Sequence, residues 1–232
     1  MAFNLQTFKT RALTAIVFAI VMLVGLLCNA RSFLILFAII HFGCWYEFIK
    51  LLRKINYKTY GYFLPLGLLY ITLPILFIID LGFPNTDHFL YQKGYEDAFD
   101  YSPIIPCGII FSIWINDTMA YIVGSFIGKT PFSKISPKKT WEGTLGGAVL
   151  CVVVIALISW WLNYNIIHFA IIAAICAVFG TLGDLLESKL KRMAQVKDSG
   201  SIMPGHGGFL DRFDSFLLAT PFVWVYVYFF MR

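Results

Sequence analysis

IIHFAIIAAICAVFGTLGDLLESKLKR, residues 166–192, decides how the rest of the chain is read. The apolar run over 165–184 is long enough to cross a hydrocarbon core, for which about 20 helical residues suffice. Asp184, Glu187, Lys189, Lys191 and Arg192 follow without a turn-forming residue between. The spacing therefore predicts one helix leaving the membrane with its charges at the end. Asp184, Ser188 and Lys191 are four and three residues apart and share a helix face. Glu187 is offset from Ser188 by about a quarter-turn. Basic residues greeting anionic headgroups would explain Lys and Arg here. They would not explain Asp184, which is still attached to the apolar run.

The same pattern recurs along the chain. Of 232 residues, 59% are hydrophobic and 13% charged, far from soluble composition. Further apolar runs lie near 12–28, 32–51, 61–82, 105–128, 143–162 and 213–231. They predict an all-α, polytopic integral membrane helical bundle of about seven transmembrane helices. No polar segment is long enough for a soluble domain, so 1–232 is expected to be a single membrane-embedded domain. All the Lys and Arg except Arg31, Lys93 and Arg232 fall before the first run or after the second, fourth and sixth. By the positive-inside rule the N-terminus is cytoplasmic, and the net charge of +5 is a topology signal and no sign of nucleic-acid binding. Cys28-Asn29-Ala30 would pass as a signal cleavage site, but a second run begins at once, as in a tight helical hairpin. The five cysteines are scattered without a CxxC pair and read as packing residues. The outer connection over 82–103, with Asp87, Glu96, Asp97 and Asp100 among aromatics, reads as an interfacial segment.

Chemistry is expected at the cytoplasmic connections and the helix ends beside them. Asp117 lies about eleven residues, roughly 16 Å, inside its span, where a carboxylate costs about 2.5–3.5 kcal/mol and is paired or functional. It shares a face with Tyr121, Gly124 and Gly128, expected to be turned inward. GSFIGKT (124–130) has three residues between its glycines and follows a membrane helix, so it is no phosphate-binding loop. PGHGGFLDRFDS (204–215) has glycines for a tight loop whose N–H groups can face an anion. Asp211 and Asp214 project together from the following helix. With Asp184 they make an all-oxygen set suited to Mg²⁺. The HGG would also suit an esterase oxyanion loop, but no GxSxG nucleophile elbow is present.

SKLKR (188–192), KD (197–198) and PGHGGFLDRFD (204–214), in this order, resemble the signature of the phosphatidate cytidylyltransferases, the CDP-diacylglycerol synthases. NDTMAYIVG (116–124) and SPKKTWEG (136–143) resemble that family's other two blocks. The resemblance covers 105–232, the motif-bearing catalytic part, whereas 1–104 match only as less specific N-terminal spans. It implies transfer of a cytidylyl group from CTP to phosphatidate, giving CDP-diacylglycerol and pyrophosphate, with Mg²⁺ and room for a second cation. It also implies a bacterial inner (plasma) membrane location, the active site on the cytoplasmic face, and partners that are CTP, phosphatidate and the bilayer, with a homodimer admitted.

On that basis Asp184, Asp211 and Asp214 are the expected metal ligands. Lys138, Lys139, Lys191, Arg192, Lys197 and Arg212 are expected to neutralise phosphates. Ser188 and His206 are hydrogen-bonding candidates, Gly207 and Gly208 offer backbone donors, and Asp117 orients a basic residue or lines the cavity floor. A CTP-dependent polyprenol or phytol kinase is the alternative, separable by its product CDP. An ion-coupled transporter built around Asp117 would spread polar residues over several spans; here they crowd one face.

Overall fold

Hydrocarbon offers no hydrogen bonds to a backbone, so apolar runs of this length fold as helices. The computed structural model describes residues 5–83, 101–133, 135–202 and 207–231, with side chains from Ala12 onward. His206, with Pro204 and Gly205, Lys134, and the acidic Asp87, Glu96, Asp97 and Asp100 of the outer connection lie outside the described residues. Among the described residues the long elements are all helices: α1 (Leu5–Leu27), α2 (Ala30–Ile55), α3 (Tyr60–Gly82), α4 (Ile104–Ile127), α5 (Trp141–Trp161), α6 (Ile166–Met193) and α7 (Leu210–Phe230). The helices α2 to α7 are long and apolar enough to cross a membrane, and α1 adds the apolar stretch Ala12–Leu27. The chain is a multi-pass, all-α integral membrane protein. Helix α6 continues from its apolar run through the charged stretch to Met193, as the opening sequence requires.

The residues gather into two compact units, Met1–Ile75 with Leu190–Phe213, and Leu76–Lys189 with Asp214–Arg232. In the first, α1 and α2 form the expected hairpin. Asn29 caps α2 by accepting from Ser32 N at 2.9 Å, while Ser32 Oγ accepts from Asn29 N at 3.1 Å, a reciprocal capping box. The buried stripe of α2 runs through Phe33, Phe37, Ile40, Cys44, Glu47 and Leu51. Helix α3 contains a π-turn over Leu68–Thr72, where the Thr72 hydroxyl accepts from Trp45 Nε1 at 3.0 Å.

In the second unit, α4 and α5 cross closely because Gly143 and Gly147 face Ala120 and Gly124. A Cβ at Gly147 would lie 2.7 Å from Ala120 Cα, so only small residues permit this approach. Below the crossing, Cys151, Ile155, Phe169 and Ala173 form an apolar core, with Phe111 and Ile115 packed against it. Phe179 of α6 stacks on Phe222 of α7 with centroids 3.5 Å apart. Trp224 donates to Asp80 at 2.7 Å and stacks on Phe77. The five cysteines form no disulfide, and Cys44, Cys151 and Cys176 are buried as packing residues.

The α4 crossing corrects one expectation. Gly124 and Gly128 face Thr140, but Tyr121 is 77% exposed and Asp117 is also exposed. The packed stripe of α4 runs through the buried Asn116 and through Ala120 and Gly124. Asp117 and Tyr121 stand one residue, about 100°, round from it.

Candidate active site

In the second unit, the end of α6 and the start of α7 bring three carboxylates together. Asp184, Glu187 and Asp214 each offer an oxygen, and these oxygens lie within 4.8 Å of one another. Glu187 is 0% and Asp214 8% exposed, while Asp184 is half-buried. Glu187 follows Asp184 by three positions, so both point from one face of α6. Gly183 lets α7 close on that face: a Cβ there would meet the Asp214 carbonyl and lie 3.1 Å from Leu218 Cβ. Ser215 N donates to Asp214 Oδ1 at 2.6 Å, which fixes one carboxylate oxygen. Asp117 belongs to the same unit but is not among the three carboxylates that meet here. Ser188 Oγ lies 3.5 Å from Asp184 Oδ1, the outer limit of a hydrogen bond.

The connection from α4 to α5 supplies a cation to this group. Phe132 N donates to Lys139 O at 2.7 Å, and Trp141 N to Thr130 O at 2.9 Å, so the chain folds back on itself as a small hairpin. Glu142 holds its base, accepting from Lys129 N and Thr130 N at 3.1 Å. Trp141 packs edge-on against Phe132 at 4.5 Å. From this hairpin the Lys139 ammonium pairs with Asp184 Oδ2, while Lys138 is exposed. The Lys129 and Thr130 amides of GSFIGKT thus serve an internal carboxylate, as suits a stretch that is no phosphate-binding loop.

In the first unit, Asp211 is surrounded by donors. Lys191 Nζ reaches its Oδ1 at 2.6 Å. Ser199 N and Gly208 N each donate to Oδ2 at 2.8 Å, and the Ser199 hydroxyl, 2.8 Å from Oδ2, has one hydrogen to share between Asp211 and Glu47. The amide of Gly208, expected to face a substrate anion, therefore faces an anion of the protein. Gly207 has φ +84°, a left-handed conformation that glycine adopts without a steric penalty. Glu47, from the buried stripe of α2, joins this network. Its Oε2 accepts from Ser199 Oγ at 2.7 Å and from Leu210 N at 2.9 Å. Arg192, Lys197 and Arg212 are exposed.

The structure thus brings Asp184 and Asp214 together as expected, adds Glu187 and Lys139, and gives Asp211 four donors within the first unit. Two carboxylates escaped the sequence reading. Glu187 lies off the Asp184–Ser188–Lys191 face, and its three-residue spacing from Asp184 is the signal that marks it. Glu47 lies inside an apolar run, where a lone acid is itself a signal.

Residues 96–230 match the model of the cytidylyltransferase family. The chain belongs to this family. The matched stretch contains the whole carboxylate group, Lys139 and Asp211; Glu47 lies before it. The chain is 49% identical over 115 residues to the phosphatidate cytidylyltransferase of Bacillus subtilis (strain 168), covering 48% of this chain and 43% of that protein. It is 38% identical over 148 residues to that of Synechocystis sp., covering 60% and 50%. To the chloroplastic phosphatidate cytidylyltransferase 4 of Arabidopsis thaliana it is 45% identical over 114 residues, covering 48% and 29%. The chain spans half or less of the length of these relatives.

Proposed function

We propose that the protein transfers the cytidylyl group of CTP to phosphatidate, giving CDP-diacylglycerol and pyrophosphate. The observation that carries this reading is the group Asp184, Glu187 and Asp214, two of its members buried, with Lys139 on Asp184. Like charges gathered in a low-dielectric setting call for a cation, and an all-oxygen donor set suits Mg²⁺. Family membership and the names of the relatives support the substrates.

The chemistry fits without a protein base. The phosphate monoester has a second pKa near 6 and is largely ionised at neutral pH. Its oxygen attacks the α-phosphorus of CTP. A new P–O bond forms, the bond to the β-phosphate oxygen breaks, and pyrophosphate leaves with that electron pair. The obstacle is repulsion between two polyanions, so catalysis rests on positioning and charge neutralisation. Asp184, Glu187 and Asp214 would hold Mg²⁺, which when bound supplies positive charge beside the triphosphate, with a second cation admitted.

Among the chain's own groups, Lys138, Lys139, Lys191, Arg192, Lys197 and Arg212 neutralise substrate phosphates. Ser188 and His206 donate hydrogen bonds, and Asp117 orients a basic residue or lines the cavity floor. Asp211 serves the site by fixing Lys191 together with the backbone at Gly207 and Gly208. The basic connections support a site on the cytoplasmic face, in a bacterial plasma membrane on this reading. CTP, phosphatidate and the bilayer are the partners, a homodimer is compatible with the reading, and nucleic acid has no part in it.

Product analysis tests the proposal. Purified protein given labelled CTP and phosphatidate should yield a CDP-lipid and pyrophosphate, and should stop when Mg²⁺ is chelated. Release of CDP with a phosphorylated alcohol would contradict it.

A further inference from the structure

Glu47 occupies a place where packing alone would put an apolar side chain. It continues the buried stripe of α2 after Phe37, Ile40 and Cys44, and it is 1% exposed. A buried carboxylate needs strong partners to be tolerated. Its Oε2 has two, Leu210 N at 2.9 Å and Ser199 Oγ at 2.7 Å, whose one hydrogen is shared with Asp211 Oδ2. Leu210 opens α7, so Glu47 satisfies an N–H group that has no acceptor within its own helix. Ser199, in turn, donates its backbone N–H to Asp211 at 2.8 Å. Glu47 thus ties the connection from α6 to α7, at Ser199, to the start of α7 at Leu210.

The glycines of this connection fit the same purpose. A Cβ at Gly200 would lie 2.7 Å from the Glu47 carboxyl carbon, and one at Gly208 would also strike the carboxylate. Both positions leave room for Glu47. All the groups concerned lie within one unit.

We propose that Glu47, which lies before the residues matched by the family model, is a positioning residue for the site. By accepting from Ser199 and Leu210 it sets the backbone that presents Asp211 and, through Asp211, Lys191. Its part is that of a hydrogen-bond acceptor. The activity readout of this proposal rests on the cytidylyl-transfer reading; its structural readout does not.

The experiment compares wild type, Glu47→Ala, Glu47→Gln, Ser199→Ala and the Glu47→Ala/Ser199→Ala pair in detergent micelles. Amide hydrogen exchange is followed in peptides covering 197–202 and 207–212, and turnover is measured with CTP and phosphatidate. Glu47→Ala should lose protection in both peptides and reduce kcat by on the order of 100-fold, the effect of a displacement of about 1 Å at a site. Glu47→Gln keeps an oxygen in the Oε2 position and should retain protection and stay within roughly threefold of wild-type kcat. Adding Ser199→Ala to Glu47→Ala should cost less than Ser199→Ala costs alone, because the two act through one contact.

Unchanged protection in Glu47→Ala would overturn the anchoring. Lost protection with full turnover would overturn the positioning role, and so would a Gln variant no better than Ala. Should the wild type form no CDP-lipid, the substrate reading fails, while the exchange data still decide whether Glu47 anchors the connection.

Discussion

Asp211 and Asp214 stand three residues apart on one helix, yet they live in opposite surroundings. Asp211, in the first unit, receives a lysine ammonium, two backbone N–H groups and a hydroxyl. Asp214, in the second, receives one backbone N–H and shares its place with Asp184 and Glu187. The first arrangement is complete within the protein. The second gathers negative charge, and the ammonium of Lys139 meets only part of it. Carboxylates surrounded by donors hold a fold together, whereas carboxylates gathered with one another wait for a cation. Two aspartates of one short motif therefore do different work, and removing their charges should have different consequences.

The largest effect is expected at Asp214. Asp214→Asn keeps shape and removes a ligand charge, so turnover should fall on the order of 10³-fold, about 4 kcal/mol of transition-state stabilisation. In EDTA the same variant should melt no lower than wild type, because a buried repulsion has been relieved. A lower melting temperature there would erase the contrast with Asp211.

Asp211→Asn should behave in the opposite sense. The Lys191–Asp211 pair has side chains only 13% and 7% exposed, and removing one partner of a buried pair costs roughly 3 kcal/mol. Denaturant unfolding should show that loss equally with and without Mg²⁺. If the loss appeared only with Mg²⁺ present, Asp211 would belong with the ligands.

Much of this architecture was open to reading from composition and spacing. Apolar runs mark the helices because hydrocarbon admits little else, and the passage from 165–184 into charged residues marks where α6 ends in polar surroundings. Spacing along one helix, however, proposes faces without choosing among them. Asp184 shares a face equally well with Ser188 or with Glu187, and α7, closing over Gly183, decides for Glu187. Likewise 117, 121, 124 and 128 form a possible stripe of α4, but the glycines of α5 select the one through Asn116 and Ala120. Glu47 meets Ser199 and Leu210 across more than 150 residues, a pairing that no local pattern encodes.

The smallest effect is expected at Lys139. Its pair with Asp184 is partly exposed, with side chains 31% and 24% accessible, so Lys139→Met should change stability by less than about 1 kcal/mol. The KM for CTP should rise about tenfold, because a phosphate-neutralising charge is gone. An unchanged KM would leave Lys139 a partner of Asp184 alone.

The central claim is that Asp184, Glu187 and Asp214 form a cation site, and thermal unfolding of wild type and Glu187→Gln, in EDTA and in graded Mg²⁺ without CTP, tests it most directly. Wild type should gain roughly 5–10 °C at a hundredfold excess of Mg²⁺ over its Kd. Glu187→Gln should start at or above the wild-type value in EDTA and gain little from Mg²⁺. Equal Mg²⁺ shifts in the two proteins, or a variant that melts well below wild type in EDTA, would contradict the account.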